Sequence, residues 1–411
     1  MDRISTASAY AGAINNLMQR QVALSNTQVQ MTSGKRVLHA SDDPTAAARA
    51  ERARTLEGRA DAGKRAADAS RNAMQLTESA LGDAGEILQQ IREQVVAAGN
   101  ASYTDAERGS VAKNIRALRD QLLSVANRPD GSGGFVFAGQ GSGTQPFSDA
   151  PGGVQYNGVS GQVQVASDEP LPLTLDGKGI WLEGNTGNGV FETVNTSNSK
   201  TAWIDAGHVA DPSLAAAHAT DSYAIQFSGA GAGSTYDIVR TDSAGASTTL
   251  VSGAAFTTGQ QITVDGMSFA VTGQPTAGDT FGLQHSTPTL SVFSSIDKIV
   301  NALTPTAPGQ PAPSASQVTQ TIQTGLRDID QSSAKLQSAR SFAGQVLNQI
   351  DGVQGRLDAT KLWGETTRSD AEDLDMVQAL STFQSQQTGY QAALQSYAAV
   401  QKMSLLQYIN V

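Results

Sequence analysis

Residues 376–408 read MVQALSTFQSQQTGYQAALQSYAAVQKMSLLQY. Steps of four and three alternate without a slip through Met376, Leu380, Phe383, Gln387, Tyr390, Leu394, Tyr397, Gln401, Ser404 and Tyr408, with Leu405 adjoining the stripe. Near the other end of the chain the same alternation runs through Tyr10, Ile14, Leu17, Gln21, Leu24, Gln28 and Met31. A mean step of about 3.5 residues marks a helix that packs on another helix along a narrow seam. Two such stripes, more than 340 residues apart in sequence, can meet in space and leave the middle of the chain projecting from the stalk they form. That is the plan of a subunit of a long assembly, and an enzyme has little use for it.

Composition narrows the field. At 411 residues the chain is too long for one ordinary domain and suggests two to four. It holds no cysteine, so neither a disulfide framework nor a thiolate metal site is available. The histidines (His39, His208, His218, His285) are scattered, with no ligand-spaced pair. No apolar run approaches the roughly 20 residues that span a bilayer, and the opening Met1-Asp2-Arg3-Ile4-Ser5-Thr6 lacks the core of a secretory signal peptide. No metal, cofactor or membrane partner is therefore expected. If the protein works outside the cell, it must leave by a route that needs no cleaved leader.

The charge is uneven. Residues 140–290 carry three basic and thirteen acidic residues, which accounts for the whole net charge of −10, while the remainder balances 25 against 25. Neutral helical ends can pack closely on copies of themselves, and an acidic domain resists sticking. No basic face stands out, so nucleic acid is not an expected partner. The cluster Arg49, Arg52, Arg54, Arg59, Lys64, Arg65 and Arg71 is interleaved with Glu51, Glu57, Asp61 and Asp68 at spacings that allow pairs within one helix turn.

Along the chain, residues 3–32 read as one amphipathic helix and residues 32–43 as an irregular linker. Asp43-Pro44 then opens a helix, with Asp43 as N-cap and Pro44 in its first turn. Its stripe runs through Met74, Thr77, Leu81, Ala84, Leu88, Ile91 and Val95 and is broken at Gly99-Asn100. A second helix presents Val111, Ile115, Leu118, Leu122 and Val125. Composition changes at Arg128-Pro129-Asp130-Gly131, and 26 of the 41 glycines fall between there and residue 290. Val154-Gln155-Tyr156 and Val163-Gln164-Val165 read as a pair of strands. Residues 223–227, 236–239, 262–264 and 267–271 alternate with a period of two, and Val264-Asp265-Gly266-Met267 makes a hairpin turn. A Pro-rich loop at 304–314 precedes a helix that resumes near 315, with a softening expected around Gly364.

Residues 135–143 resemble a strand followed by a Gly-rich phosphate loop, but no Gly-Lys-Ser/Thr and no helix follow, which favours a hairpin. Asp370, Glu372, Asp373 and Asp375 read as the first turn of a helix, favoured by its dipole, in preference to a cation site. Two readings of the seam glutamines stand: polar substitution on a surface helix, or buried amides that set register in an assembly.

Several motifs together carry a resemblance. Arg3-Ile4-Ser5-Thr6, residues 32–37 (TSGKRV), residues 40–44 (ASDDP) before an Ala-rich helix, and residues 394–409 (LQSYAAVQKMSLLQYI) resemble the flagellin superfamily. Residues 135–139 (FVFAG), 145–147 (QPF), 154–158 (VQYNG) and 162–165 (QVQV) are similar to the hairpin region of that superfamily's hook-associated proteins of the hook–filament junction. The resemblance covers about 1–170 and 315–411, and does not extend to residues 175–290, the part expected to vary. The extra Asp2 departs from the usual start, and the end Tyr408-Ile409-Asn410-Val411, without the basic Leu-Leu-Arg common in flagellins, argues against the filament subunit.

The resemblance implies an α+β multidomain fold: a flagellin-like, long antiparallel helical coiled coil or bundle from both termini, with an inserted outer β domain. Residues 1–40 with 372–411 would form an inner tube, 41–172 with 291–371 a helical bundle with a β-hairpin, and 173–290 the acidic outer domain. The implied function is a non-catalytic adaptor in the bacterial flagellum, exported to the cell exterior by the flagellar type III route. Its implied partners are copies of itself in a layer, another hook-associated junction protein, flagellin, and an export chaperone at the C-terminal helix. A filament flagellin is the alternative, and a surface adhesin or hydrolase working through the β domain is a third. The implied assembly interface is the two stripes, from Tyr10 to Met31 and from Leu380 to Tyr408 with Leu405.

Overall fold

Asp43 starts the longest uninterrupted N-terminal element as its sequence requires. Its carboxylate accepts the amides of Thr45 (3.1 Å) and Ala46 (3.0 Å) and the Thr45 hydroxyl (2.8 Å), and Pro44 occupies the first helical position. Those hydrogen bonds, the Ala46 amide foremost, lower the Asp43 carboxyl to about 2. The computed structural model describes residues 6–100, 102–141, 143–165, 169–229, 233–304 and 313–409, with side chains from 10 to 399 within those ranges. The Arg3-Ile4-Ser5 start, most of the Pro-rich loop and the last two residues lie outside the described residues. By internal contacts the chain divides into Met1–Arg65 with Val353–Val411, and Ala66–Gly352.

In the first of these units, helix α1 (Thr6–Ser33) pairs with helix α8 (Met376–Ile409). The start of α2 (Pro44–Ala98) pairs with the end of α7 (Ala315–Glu372). Ion pairs join the latter two: Glu57 with Arg368 (3.0 Å), Asp61 with Lys361 (2.9 Å) and Lys64 with Asp358 (2.8 Å). The order rises on one helix as it falls on the other, so the two are antiparallel. Several of the charges expected to pair within α2 thus pair across the seam, while Arg54 and Glu51 also pair within one turn of α2. Cross-helix pairing wins because α7 presents its carboxylates and cations at matching heights.

Helix α7 does not soften at Gly364. It continues to Glu372, and the break comes at residues 373–375. A Cβ on Gly364 would sit 2.9 Å from Glu57 Cγ and 3.3 Å from the Ala53 carbonyl, so the missing side chain lets α2 approach closely. The acidic run is split accordingly. Asp370 and Glu372 close α7, whereas Asp375 caps α8 by accepting the amides of Val377 (2.9 Å) and Gln378 (3.1 Å).

In the second unit the α2 stripe from Met74 to Val95 is buried at every position named above. Helix α3 (Asp105–Ala126) opens with a capping box between Thr104 and Glu107 and buries Ile115 and Leu122. Helix α6 (Val292–Leu303) packs on α3 and buries Val292, Phe293, Ile296, Ile299, Val300 and Leu303. Helix α7 contributes Ile322, Ile329, Leu336, Ala343, Val346 and Ile350. Strand β1 (Phe147–Ala150) pairs with β2 (Gly153–Tyr156), and β3 (Gln164–Val165) with β4 (Leu171–Pro172). The expected pairing of 154–156 with 163–165 does not form: each of these segments closes a hairpin with its own nearer neighbour. The segment 135–139 is held by isolated bridges and not as a regular strand. A short helix α4 (Gly177–Trp181) brings Trp181 against Phe137, Phe147 and Phe293.

The remaining strands form two antiparallel sheets around one apolar core. Strands β5 (Phe191–Asn195), β8 (Ser222–Ser228), β9 (Thr235–Thr241), β10 (Ser247–Ala255) and β13 (Thr280–His285) lie in the order β10-β9-β8-β13-β5. Strands β6 (Ala202–Ile204), β7 (His208–Val209), β11 (Gln261–Val264) and β12 (Met267–Gly273) form the other sheet, and α5 (Pro212–Ala217) follows β7. Period-two alternation in β8 buries Tyr223, Ile225 and Phe227 and exposes Ser222, Gln226 and Ser228. These pack with Ile204, Phe269, Val271 and Phe281. Helix α7 is tied to this region by the Gln320 amide, which accepts the Ile204 N–H (2.8 Å) and donates to its carbonyl (3.0 Å).

The turn predicted at 264–267 is present, with φ of 43° at Asp265 and 79° at Gly266, as a hairpin turn of the primed type requires. A Cβ on Gly266 would also press into the Asp211 carbonyl. Gly266→Ala should therefore lower stability by about 1–3 kcal/mol, read as a shift in urea midpoint at unchanged slope.

Candidate assembly surface

Helices α1 and α8 meet along the predicted seam. The rings of Tyr10 and Tyr397 lie 5.3 Å apart, and their hydroxyls hydrogen-bond, which raises the Tyr397 phenol. Further along, the Gly389 position faces Arg20, and the Thr27 hydroxyl donates to Gln386 Oε1 at 2.8 Å. Contacts at 10/397, 20/389 and 27/386 make the pair antiparallel. Of the predicted residues, Tyr10, Ile14, Leu17, Leu24, Met31, Phe383, Tyr390 and Tyr397 are half-buried. Gln21, Gln28, Leu380, Gln387 and Leu394 are exposed within this single chain. The side chains of Gln401, Leu405 and Tyr408 lie outside the described residues.

Several members of this surface escaped the sequence pattern. The buried polar contact uses Thr27 and Gln386, one position away from the predicted Gln28 and Gln387. One residue rotates a side chain by 100°, enough to move an amide from the seam to its flank. Ala379 is also buried. On the outer flank of α1, Met18, Val22 and Val29 are 55%, 58% and 49% exposed. Met18, Val22, Ser25 and Val29 repeat the four-three spacing one residue after the first stripe, so the signal was there to be found. On α8, Met376, Val377, Leu380 and Leu394 are exposed as well. A folded helix pair that leaves two apolar flanks in water is suited to further helix–helix association.

The glycine loop at 139–141 has no amides to offer a phosphate. Gly139 N–H donates to Leu175 O (3.2 Å), Gln140 N–H to Val159 O (2.8 Å) and Gly141 N–H to Ala138 O (3.2 Å). Among the described residues no group of three or more His, Asp or Glu is placed to hold a metal ion, and no helix is long and apolar enough to cross a membrane.

Comparison with known proteins bears on the same elements. The family model "Bacterial flagellin N-terminal helical region" matches residues 4–142, and "Bacterial flagellin C-terminal helical region" matches residues 326–409. Flagellar hook-associated protein 3 of Escherichia coli (strain K12) is 32% identical over 197 residues, covering 48% of this chain and 59% of that protein. The match thus spans somewhat over half of that relative's length. The crystal structure of Xanthomonas campestris FlgL is 31% identical with a TM-score of 0.64, over 73% of this chain and 98% of that one. The flagellar junction protein FlgL of Legionella pneumophila is 26% identical with a TM-score of 0.66, over 79% of this chain and all of that one.

Proposed function

We propose a junction role for this chain, which belongs to the FlgL family of flagellar hook-associated proteins in the flagellin superfamily. It is a structural adaptor subunit of the bacterial flagellum that joins hook-side junction proteins to the flagellin filament. Its terminal helices associate with those of sister copies in one layer. Its further partners are another hook-associated protein on one side and flagellin on the other, and an export chaperone holds the C-terminal helix before assembly. The protein acts outside the cell, reached by the flagellar export route, and carries out no catalysis. Residues 1–40 with 372–411 form the tube-building part, 41–172 with 291–371 the bundle with its hairpins, and 173–290 an acidic solvent-exposed domain.

The observation that carries this proposal is the α1–α8 pair with Met18, Val22 and Val29 left in water beside the seam. Such a pair gains most by burying its flanks against identical pairs. The family models, named for flagellin, favour a filament subunit as the second reading. Electron microscopy of isolated hooks carrying labelled protein separates the two. A band confined to the hook–filament boundary supports the adaptor. Label along the filament supports the flagellin reading, and label over the cell body defeats both. Deleting the gene gives a second discriminator: loss of an adaptor releases flagellin monomers into the medium, whereas loss of a flagellin does not.

A further inference from the structure

Between α1 and α2 the chain passes through residues 34–43, and between α7 and α8 through 373–375. These two crossings are fastened to each other. Lys35 bridges Asp373, Arg36 N–H donates to the Glu372 carbonyl at 2.7 Å, and Leu374 N–H donates to the Gly34 carbonyl at 2.9 Å. The Arg36 guanidinium donates to the Ala371 carbonyl at 2.8 Å, so donors from the other crossing satisfy the last carbonyls of α7. Beneath the bridge lies the Glu372 side chain, 5% exposed. It accepts from Lys35 in the crossing (3.1 Å), Arg54 on α2 (2.6 Å) and Arg368 on α7 (3.3 Å). Three cations from three elements thus converge on one carboxylate.

We propose that Glu372 is an electrostatic latch that locks the joint between the α1–α8 pair and the α2–α7 pair, and that neutralising it frees the joint while both pairs stay helical. The proposal concerns the chain before any assembly and does not rest on the junction role. A locked joint removes the freedom of the terminal pair to swing, so less entropy remains to be lost when copies associate. The grip is specific because the alternative partners are already engaged: Arg368 also holds Glu57, Arg54 also reaches Glu51, and Arg36 reaches Asp43. Val37, Ala46, Ala50 and Ala371 form a small apolar cluster at the same crossing. Burial pushes the Glu372 carboxyl up, but the hydrogen bonds from Lys35, Arg54 and Arg368 outweigh it and hold it below the usual range. A carboxylate depressed in this way stabilises fully above the unfolded value of about 4.3 and loses its effect as pH falls through the lower folded value.

Hydrogen exchange of the full chain at neutral pH tests the latch. In Glu372→Gln the amides of Arg36 and Leu374 should exchange roughly ten- to a hundredfold faster, the factor expected for hydrogen bonds to a charged group. Amides of α2 over 50–60 and of α7 over 355–366 should keep their rates. Asp358→Asn, which breaks an exposed pair in the same unit, should leave Arg36 and Leu374 unchanged. Unchanged exchange at Arg36 and Leu374 in Glu372→Gln overturns the proposal, and so does equal acceleration throughout α2 and α7. If Glu372→Gln does not fold, Lys35→Met carries the same readout from a half-exposed position, and failure to accelerate those two amides overturns the latch equally.

Discussion

Replacing Trp181 with alanine should cost the unit formed by residues 66–352 about 3–5 kcal/mol. The indole is 1% exposed and sits where α4, the 135–139 segment, β1 and α6 converge. It stacks on Phe293 at 6.0 Å and 23° and meets Phe137 edge-on at 5.5 Å and 85°. Aromatic pairs of this geometry add about 0.5–1.5 kcal/mol each beyond the area they bury. Its ring neighbours Phe137, Phe147 and Phe293 are themselves buried, which limits how far they can move to fill a hole of indole size. Calorimetry should record a drop of roughly 10 °C in the transition of this unit, by the usual scaling for domains of this size. Trp181→Phe makes the sharper comparison. Trp181 Nε1 is buried without a hydrogen-bond acceptor, so phenylalanine forfeits volume but no hydrogen bond and should lose less than half as much. A drop below about 3 °C for alanine would mean that the cluster is not the keystone its burial suggests.

The helical frame was legible because its information is local. Met74 to Val95 repeat at three and four, Asp43-Pro44 announces a start, and Gly99 a stop; each signal acts within one or two turns of the residues it governs. Helix α6 carries an equally local signal, since Val292, Ile296, Ile299 and Leu303 keep the same period behind Ser291. What could not be read was long-range choice. Nothing local tells Val154 to pair toward Asp149 and away from residues 163–165, because strands of four residues and two have too few positions to specify a partner. Likewise the spacing of Arg54, Glu57, Asp61 and Lys64 satisfied the rule for pairs within a helix. The partners that won, on α7, lie about 300 positions away. Gly364 misled for a related reason: glycine weakens a lone helix, yet here it admits a neighbouring backbone. Along the α1–α8 pair the seam follows the expected stripes, and the apolar flank lies beside them. The apolar stripe fixes which way a helix faces its first partner, whereas the flank at Met18, Val22 and Val29 shows its value only once the first face is covered.

That flank yields the other large expected effect. Val22→Asp should leave the single chain folded and abolish its incorporation into flagella. Val22 is 58% exposed, so a carboxylate there remains in water and stability should move by no more than about 0.5 kcal/mol. If this flank is buried against another helix, the same carboxylate is drawn out of water beside Met18 and Val29. Stripping it of water costs several kcal/mol per copy, which is a loss of roughly a hundredfold or more in association. The variant should secrete as a soluble monomer with unchanged helix content by far-UV circular dichroism. A strain relying on it should release flagellin into the medium and fail to swim. Leu214→Asp provides the comparison: Leu214 is 49% exposed on α5, in the sheet region, and a charge there should be incorporated normally. Equal motility for the two variants would mean that exposure of an apolar side chain, and not its place beside the α1–α8 seam, is all that Met18, Val22 and Val29 have in common, and the terminal pair would lose its claim as the assembly surface.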